Sequence, residues 1–223
     1  MKLKKFAALA LAGMMAVSML AACSDKTTTG EEEDNQIVAT SDAVTYANDA
    51  LSASMKEHAT FKANPTLDGW VKDIATNTDN LNAGQIKTAY IEYTNVNFSN
   101  TNVGQGKLRD KLKEKLKDSN VIYVTDRDNG FVNVPADEKT QSSSWVYVLS
   151  GVLDEKSAVQ MAVNAVVDGV DFPLTIDNNK YTCEYSPEIS ALRVTNESLT
   201  GESAWVVAIV VTQTVTEAAN VEA

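Results

Sequence analysis

The sequence predicts an α/β fold: a single domain with a mixed sheet of about four or five strands, helices packed on it, and an antiparallel hairpin at its close. Three observations carry this. Between residues 86 and 124 the pattern runs strand, loop, helix, strand, the order of a layered α/β domain. The run Val206-Val207-Ala208-Ile209-Val210-Val211 is unbroken and apolar, as in a central strand buried on both faces. Residues 188–194 and 205–214 are apolar stretches separated by a polar turn with Thr200-Gly201 at its tip, which makes them an antiparallel pair.

The chain opens outside this domain. Lys2, Lys4 and Lys5 precede an apolar run over 6–19 that ends in Leu20-Ala21-Ala22-Cys23. A basic start, an apolar centre and small residues at the cut are the marks of a secretory signal peptide over 1–22. The run is shorter than the roughly 20 apolar residues a spanning helix needs. A cysteine directly after the cut resembles a bacterial lipobox, which implies that Cys23 becomes the new N-terminus and carries lipid on its thiol and amine. Two acyl chains suffice for stable anchoring. Residues 23–40 then read as the lipidated cysteine and an acidic tether, with Thr27-Thr28-Thr29-Gly30 and Glu31-Glu32-Glu33-Asp34 and few apolar groups to offset ordering entropy. About 16 residues reach at most ~55 Å when fully stretched. The globular domain occupies 41–223.

Within it, Ser41-Asp42 is an N-cap pair ahead of Val44, Ala47, Leu51 and Met55, which fall at helical spacing. Asn64-Pro65 interrupts, and Leu67, Trp70, Val71 and Ile74 form a second short apolar stripe. Residues 86–96 alternate as a strand, with Ala89, Ile91 and Tyr93 opposite Tyr90, Glu92 and Thr94. After an Asn/Gly loop, Leu108, Leu112 and Leu116 mark the clearest helix, over 107–117, and 121–124 is a short apolar strand. Residues 126–144 read as a polar loop with a turn at Asp128-Asn129-Gly130, and 145–149 as a strand. Residues 157–167 fit both periods: Val159, Met161, Val163, Ala165 and Val167 alternate, while Val159, Ala162, Val163, Val166 and Val170 suit a helix. Tyr181-Thr182-Cys183-Glu184-Tyr185 alternates like a strand.

Composition narrows the function. The net charge is −11, and three of the lysines lie in the first 22 residues, so the rest of the chain is more acidic still. Such a chain repels nucleic-acid phosphates and anionic headgroups, which argues against nucleic-acid binding. There are two cysteines and one histidine, His58. With lipid on Cys23, Cys183 has no intramolecular partner and reads as a buried, inert thiol. One His and one free Cys build no zinc site, and no metal or other cofactor is expected. The acids at 31–34 read as a solvated tether, and Asp126 and Asp128 as turn residues more than as calcium ligands. Gly104-Gln105-Gly106 before a helix lacks the remaining features of a phosphate loop. Trp70, Trp145 and Trp205 read as core residues, with interface anchoring as their alternative role. No catalytic residue is assigned, and the chain is expected not to be an enzyme.

Taken in order, several of these pieces resemble the LpoB-like family of penicillin-binding-protein activator lipoproteins, itself related to the curli-secretion pore proteins (CsgG) and the TolB amino-terminal domain. The resemblance rests on the lipobox and tether, the Ser41-Asp42-led helix, and Tyr90-Ile91-Glu92-Tyr93-Thr94-Asn95. It continues through the leucine-spaced helix, Val121-Ile122-Tyr123-Val124-Thr125-Asp126, Tyr147-Val148-Leu149-Ser150-Gly151, and Thr200-Gly201-Glu202 before Trp205. It covers residues from about 41 to 215. The family's helix before the Tyr-x-Leu-x-Gly strand is missing from 137–144, and the stretch 154–179 is longer than the family pattern. The resemblance implies a non-enzymatic, lipid-anchored protein of the cell envelope that binds and activates a peptidoglycan synthase, a penicillin-binding protein. Its anchor would lie in the outer membrane or the outer face of the cytoplasmic membrane. The alternatives are a component of a secretion or surface-assembly system and a ligand-binding surface lipoprotein.

Overall fold

The computed structural model describes residues 42–94, 105–119, 131, 140–176, 180–196 and 201–218. Six helices and four strands occur among them: α1 (Ala43–Ala50), α2 (Ala53–Lys56), α3 (Pro65–Ala75), α4 (Ala83–Glu92), α5 (Gln105–Asp118), β1 (Thr140–Ser150), α6 (Glu155–Gly169), β2 (Thr175–Ile176), β3 (Tyr181–Thr195) and β4 (Ser203–Glu217). The strands form one sheet in the order β1-β4-β3-β2, with antiparallel pairing throughout. Parallel pairing among the described residues is confined to an isolated bridge between Lys62 and Glu188.

The Val206 to Val211 run does lie in a central strand. β4 sits between β1 and β3, and its residues from Ser203 to Val211 are all buried. Alternation along the strand sends its side chains into two separate cores. Trp205, Val207, Ile209, Val211 and Val215 join one, together with Trp145 and Leu149 of β1 and Cys183, Tyr185, Ile189 and Ala191 of β3. Ala204, Val206, Ala208 and Val210 join the other, with Val146, Val148, Leu192 and Val194. A strand covered on both faces needs no polar side, which is why this segment is continuously apolar.

Helices cover each face. α6 and α1 pack on the first. Ala158, Val159, Ala162, Val163 and Val166 are all buried on one side of α6, so the helical period wins over the alternating one in 157–167. Asp154 starts this helix by accepting a 2.7 Å hydrogen bond from Ser157 N. On the second face lie α3, α4 and α5. The Leu108, Leu112 and Leu116 stripe is buried there as expected. Asn64-Pro65 begins α3 instead of merely interrupting the chain. Asn64 accepts from Thr66 N and Leu67 N, and Pro65 takes the first helical position, where a missing N–H costs nothing.

Several expectations require correction. The strand expected over 86–96 is not seen in its described part: 86–92 belong to α4, and 95 and 96 lie outside the described residues. That helix is set by a capping box, in which Asn82 Oδ1 accepts from Gln85 N and Gln85 Oε1 accepts from Asn82 N. The expected strand-helix-strand unit is therefore a pair of helices, α4 and α5, over the described residues. The single helix expected across 44–55 is two, because Ser52 caps a new turn by accepting from Met55 N. Asp42 occupies the N-cap position of α1 but makes no side-chain cap. The polar stretch 140–144 is the first half of β1, not loop. Two of its polar side chains find partners across the sheet. Gln141 donates to Gln213 Oε1, and Ser142 and Thr212 share a 2.8 Å hydrogen bond. The two strands expected around 181–185 and 188–194 are one, β3, which carries Pro187 in its middle. Pro187 pairs with Val211, and its carbonyl accepts from Lys62 N at 3.0 Å, so its amide position faces away from β4. A proline fits only at such an unpaired strand side.

Candidate functional site

An apolar cleft opens on the α1–α6 side of the sheet. Leu51, Met55, Ala59 and Phe61 form one wall, the end of α6 (Val166, Val167) and the segment after it (Phe172, Leu174) another, and Tyr185, Pro187 and Val211 the floor. The cleft, open to solvent on one side, holds about 310 Å³. Among the described residues, its polar lining consists of Ser54, His58 and Tyr185. Ser54 and His58 are exposed, whereas Tyr185 is buried.

Local sequence sets these walls. After α1 ends, Asn48 Oδ1 accepts from Phe61 N at 2.8 Å and Asn48 Nδ2 donates to Phe61 O at 3.1 Å, so the segment containing α2 is closed as a loop with Phe61 turned into the core. Below, Phe131, Phe172 and Tyr185 form an aromatic cluster with ring centroids 5.2–6.0 Å apart. Their tilted and edge-on arrangements are those the ring quadrupoles favour.

The Tyr185 hydroxyl is fully committed. It donates to Pro173 O at 2.7 Å and accepts from Gln213 Nε2 at 3.0 Å. Gln213 in turn accepts from Gln141. A polar chain thus runs from β1 through β4 to β3 and out to the segment after α6, through Gln141 and Gln213, both essentially inaccessible. Burial raises the phenol above its ordinary value, so Tyr185 stays neutral. The floor of the cleft therefore presents carbon and a hydroxyl with no spare proton.

The residues of the sequence motifs gather elsewhere, at the end of the sheet where β1 leaves β4. Gly151 N donates to Ser203 O at 2.9 Å. A Cβ on Gly151 would lie 2.1 Å from Ser203 Oγ and 2.5 Å from Ser203 O, so only glycine fits. Arg193 clamps the pair, donating from Nη2 to Gly151 O at 2.8 Å and from Nε to Ser203 Oγ at 3.1 Å, with its guanidinium 5.9 Å from the Trp205 ring centroid. Trp205 Nε1 donates to Leu153 O at 3.0 Å. Gly201 adopts φ +96°, the left-handed conformation suited to the turn before β4. Ser150 Oγ donates to Tyr90 O at 2.7 Å and accepts from Val152 N, which ties α4 to the same corner. Ile91 and Val152, on either side of Ser150, are 61% and 60% exposed.

Other residues singled out in the sequence fall as follows. Cys183 is buried in the α1–α6 core, and burial raises its thiol above the ordinary value, consistent with an inert role. Trp145 and Trp205 are core residues, and Trp70 is half-buried against the other core. No group of three or more His, Cys, Asp or Glu suited to a metal occurs among the described residues, and no helix among them is long and apolar enough to cross a membrane. Cys23, the acids at 31–34, Gly104, the strand expected at 121–124, and Asp126 and Asp128 lie outside the described residues. The cleft was not anticipated. Its lining is drawn from positions 51 to 211 and carries no local motif. No protein-family model, no curated protein and no solved structure matches this chain.

Proposed function

We propose that this chain is a lipid-anchored extracytoplasmic protein that binds a peptidoglycan synthase of the penicillin-binding class and raises its activity without catalysing a reaction itself. The observation that carries the reading is the order of the motifs behind Leu20-Ala21-Ala22-Cys23, which is the order of the activator lipoproteins it resembles. Cys23 anchors the chain to the outer membrane or to the outer face of the cytoplasmic membrane. The folded domain then acts by contact. Supporting this, Gly151, Gly201 and Trp205 belong to one end of the sheet, where a dense set of hydrogen bonds holds two exposed apolar residues, Ile91 and Val152. Apolar side chains on a rigid corner of an otherwise acidic domain are suited to seat a protein partner.

The test is a crosslinked capture of the intact lipoprotein from its native envelope, followed by assay of the captured synthase with and without the full chain. Recovery of a bifunctional penicillin-binding protein, stimulated by the wild-type chain and at least five-fold less by Ile91→Asp/Val152→Asp, supports the reading. Recovery of secretion components, of no protein, or of a synthase indifferent to the chain overturns it.

A further inference from the structure

We infer that the cleft between α2, α6 and β3 is a binding site for the single hydrocarbon chain of a free amphiphile, independent of any contact with a synthase. The chemistry of the walls selects the ligand. Leu51, Met55, Phe61, Val167, Phe172 and Leu174 supply carbon surface, and Leu174 at the mouth remains 43% exposed. The buried polar side chain on the floor, that of Tyr185, already donates to Pro173 O and accepts from Gln213 Nε2. It has no proton to offer a ligand, so recognition inside the cleft rests on apolar contact alone. A polar group reaching the floor would lose its water and meet no free proton donor on the Tyr185 side chain.

Size narrows the class further. An apolar cavity of about 150 Å³ takes up benzene, and this cleft holds about 310 Å³. If each methylene fills about the ~30 Å³ that a water molecule occupies in the liquid, the space holds roughly ten carbons of one chain. Polar character returns only at the exposed Ser54 and His58, which leaves a head group in water next to hydrogen-bonding side chains.

The chain's own acylated Cys23 is the competing source of hydrocarbon. Stable anchoring takes two inserted chains, and one alone gives marginal, reversible binding. A protein that withdrew an acyl chain into its own cleft would weaken its hold on the membrane, which favours a separate molecule as the occupant.

The test uses the full chain in two forms, lipidated and Cys23→Ser, with the uncharged fluorophore N-phenyl-1-naphthylamine as probe and straight-chain alcohols from hexanol to tetradecanol as competitors. The expected result is saturable probe binding by both forms with the same Kd. Competition should tighten about three- to four-fold per added methylene, then level off near ten carbons, where the cleft is full. Ala59→Trp and, separately, Val167→Trp fill the space and should weaken binding at least ten-fold while the chain still unfolds cooperatively. Ile91→Ser, on the opposite side of the sheet, should leave it unchanged. Absence of saturable binding, or binding indifferent to both tryptophans in folded protein, overturns the site. Probe binding by Cys23→Ser but exclusion by the lipidated form overturns the free amphiphile in favour of the chain's own lipid.

Discussion

Replacing Gly151 with alanine tests whether the corner of the sheet is as closely fitted as its geometry indicates. The added methyl would stand 2.1 Å from Ser203 Oγ and 2.5 Å from Ser203 O. The hydroxyl can rotate aside, at the loss of the 3.1 Å bond it accepts from Arg193 Nε. The carbonyl cannot, because it is part of β4 and accepts from Gly151 N at 2.9 Å. Relief requires the ends of β1 and β4 to separate, which weakens that hydrogen bond and the one from Arg193 Nη2 to Gly151 O. Overpacking of this kind costs about 1–3 kcal/mol, and one weakened hydrogen bond adds about 1 kcal/mol, so a loss of about 3 kcal/mol is expected. With a urea slope of about 2 kcal/mol/M, the midpoint falls by roughly 1.5 M at unchanged slope. The assay is urea unfolding of the full chain as Cys23→Ser, followed by tryptophan fluorescence, since Trp145 and Trp205 are buried. Adding Ser203→Ala removes the hydroxyl overlap and leaves the carbonyl one, so it should recover less than half of the loss. A change below about 0.5 kcal/mol in Gly151→Ala, or full recovery in the double variant, would refute the reasoning.

Two other outcomes follow from the core beneath the cleft. The Tyr185 phenol has a raised pKa in the folded protein because of burial, so the folded state holds this proton more tightly than the unfolded one. Its contribution is complete below the unfolded value near 10 and is lost as pH rises above it, by up to about 1.4 kcal/mol per pH unit. Tyr185→Phe should lower stability at pH 7 by about 1–3 kcal/mol, by stranding Gln213 and the Pro173 carbonyl. It should also flatten the alkaline fall, and a pair of urea titrations at pH 8 and 11 that shows equal falls in both proteins would count against this. Cys183, buried and with its thiol raised, should resist a neutral maleimide in native Cys23→Ser protein and react at once in denaturant; prompt labelling of native protein would contradict the packing.

The sequence was most readable where burial follows a single period. The leucines of α5 recur every four residues and face one core, and the valines of β4 fill two cores without interruption. Reading failed where alternation was accidental. Ala89, Ile91 and Tyr93 alternate with polar neighbours, yet only Ala89 and Tyr93 are buried, and Ile91 is exposed on α4. The signal that outweighed it lay upstream, in Asn82 and Gln85, whose spacing is that of a capping box. The first half of β1 was missed for the opposite reason. Its Gln and Ser side chains look like loop, but Gln141 and Ser142 are buried because Gln213 and Thr212 stand opposite them in the register and supply partners. Of the candidate sites, the corner was legible because Gly151, Gly201 and Trp205 are residue types with special backbone or anchoring roles. The cleft was not, since its walls are ordinary aliphatic and aromatic residues brought together by tertiary packing.

The order of the strands in the sheet has a consequence for how the protein comes into being. β4, the latest of the four described strands along the chain, lies between β1 and β3, and β1 has no other partner among the described residues. A ribosome delivers β1, α6, β2 and β3 before it delivers the strand on which both helical layers rest. Until then neither core has its centre, and β1 and β3 are left with bare edges open to unwanted association. The keystone is set last, so both cores close only when the final strand slides between its two neighbours.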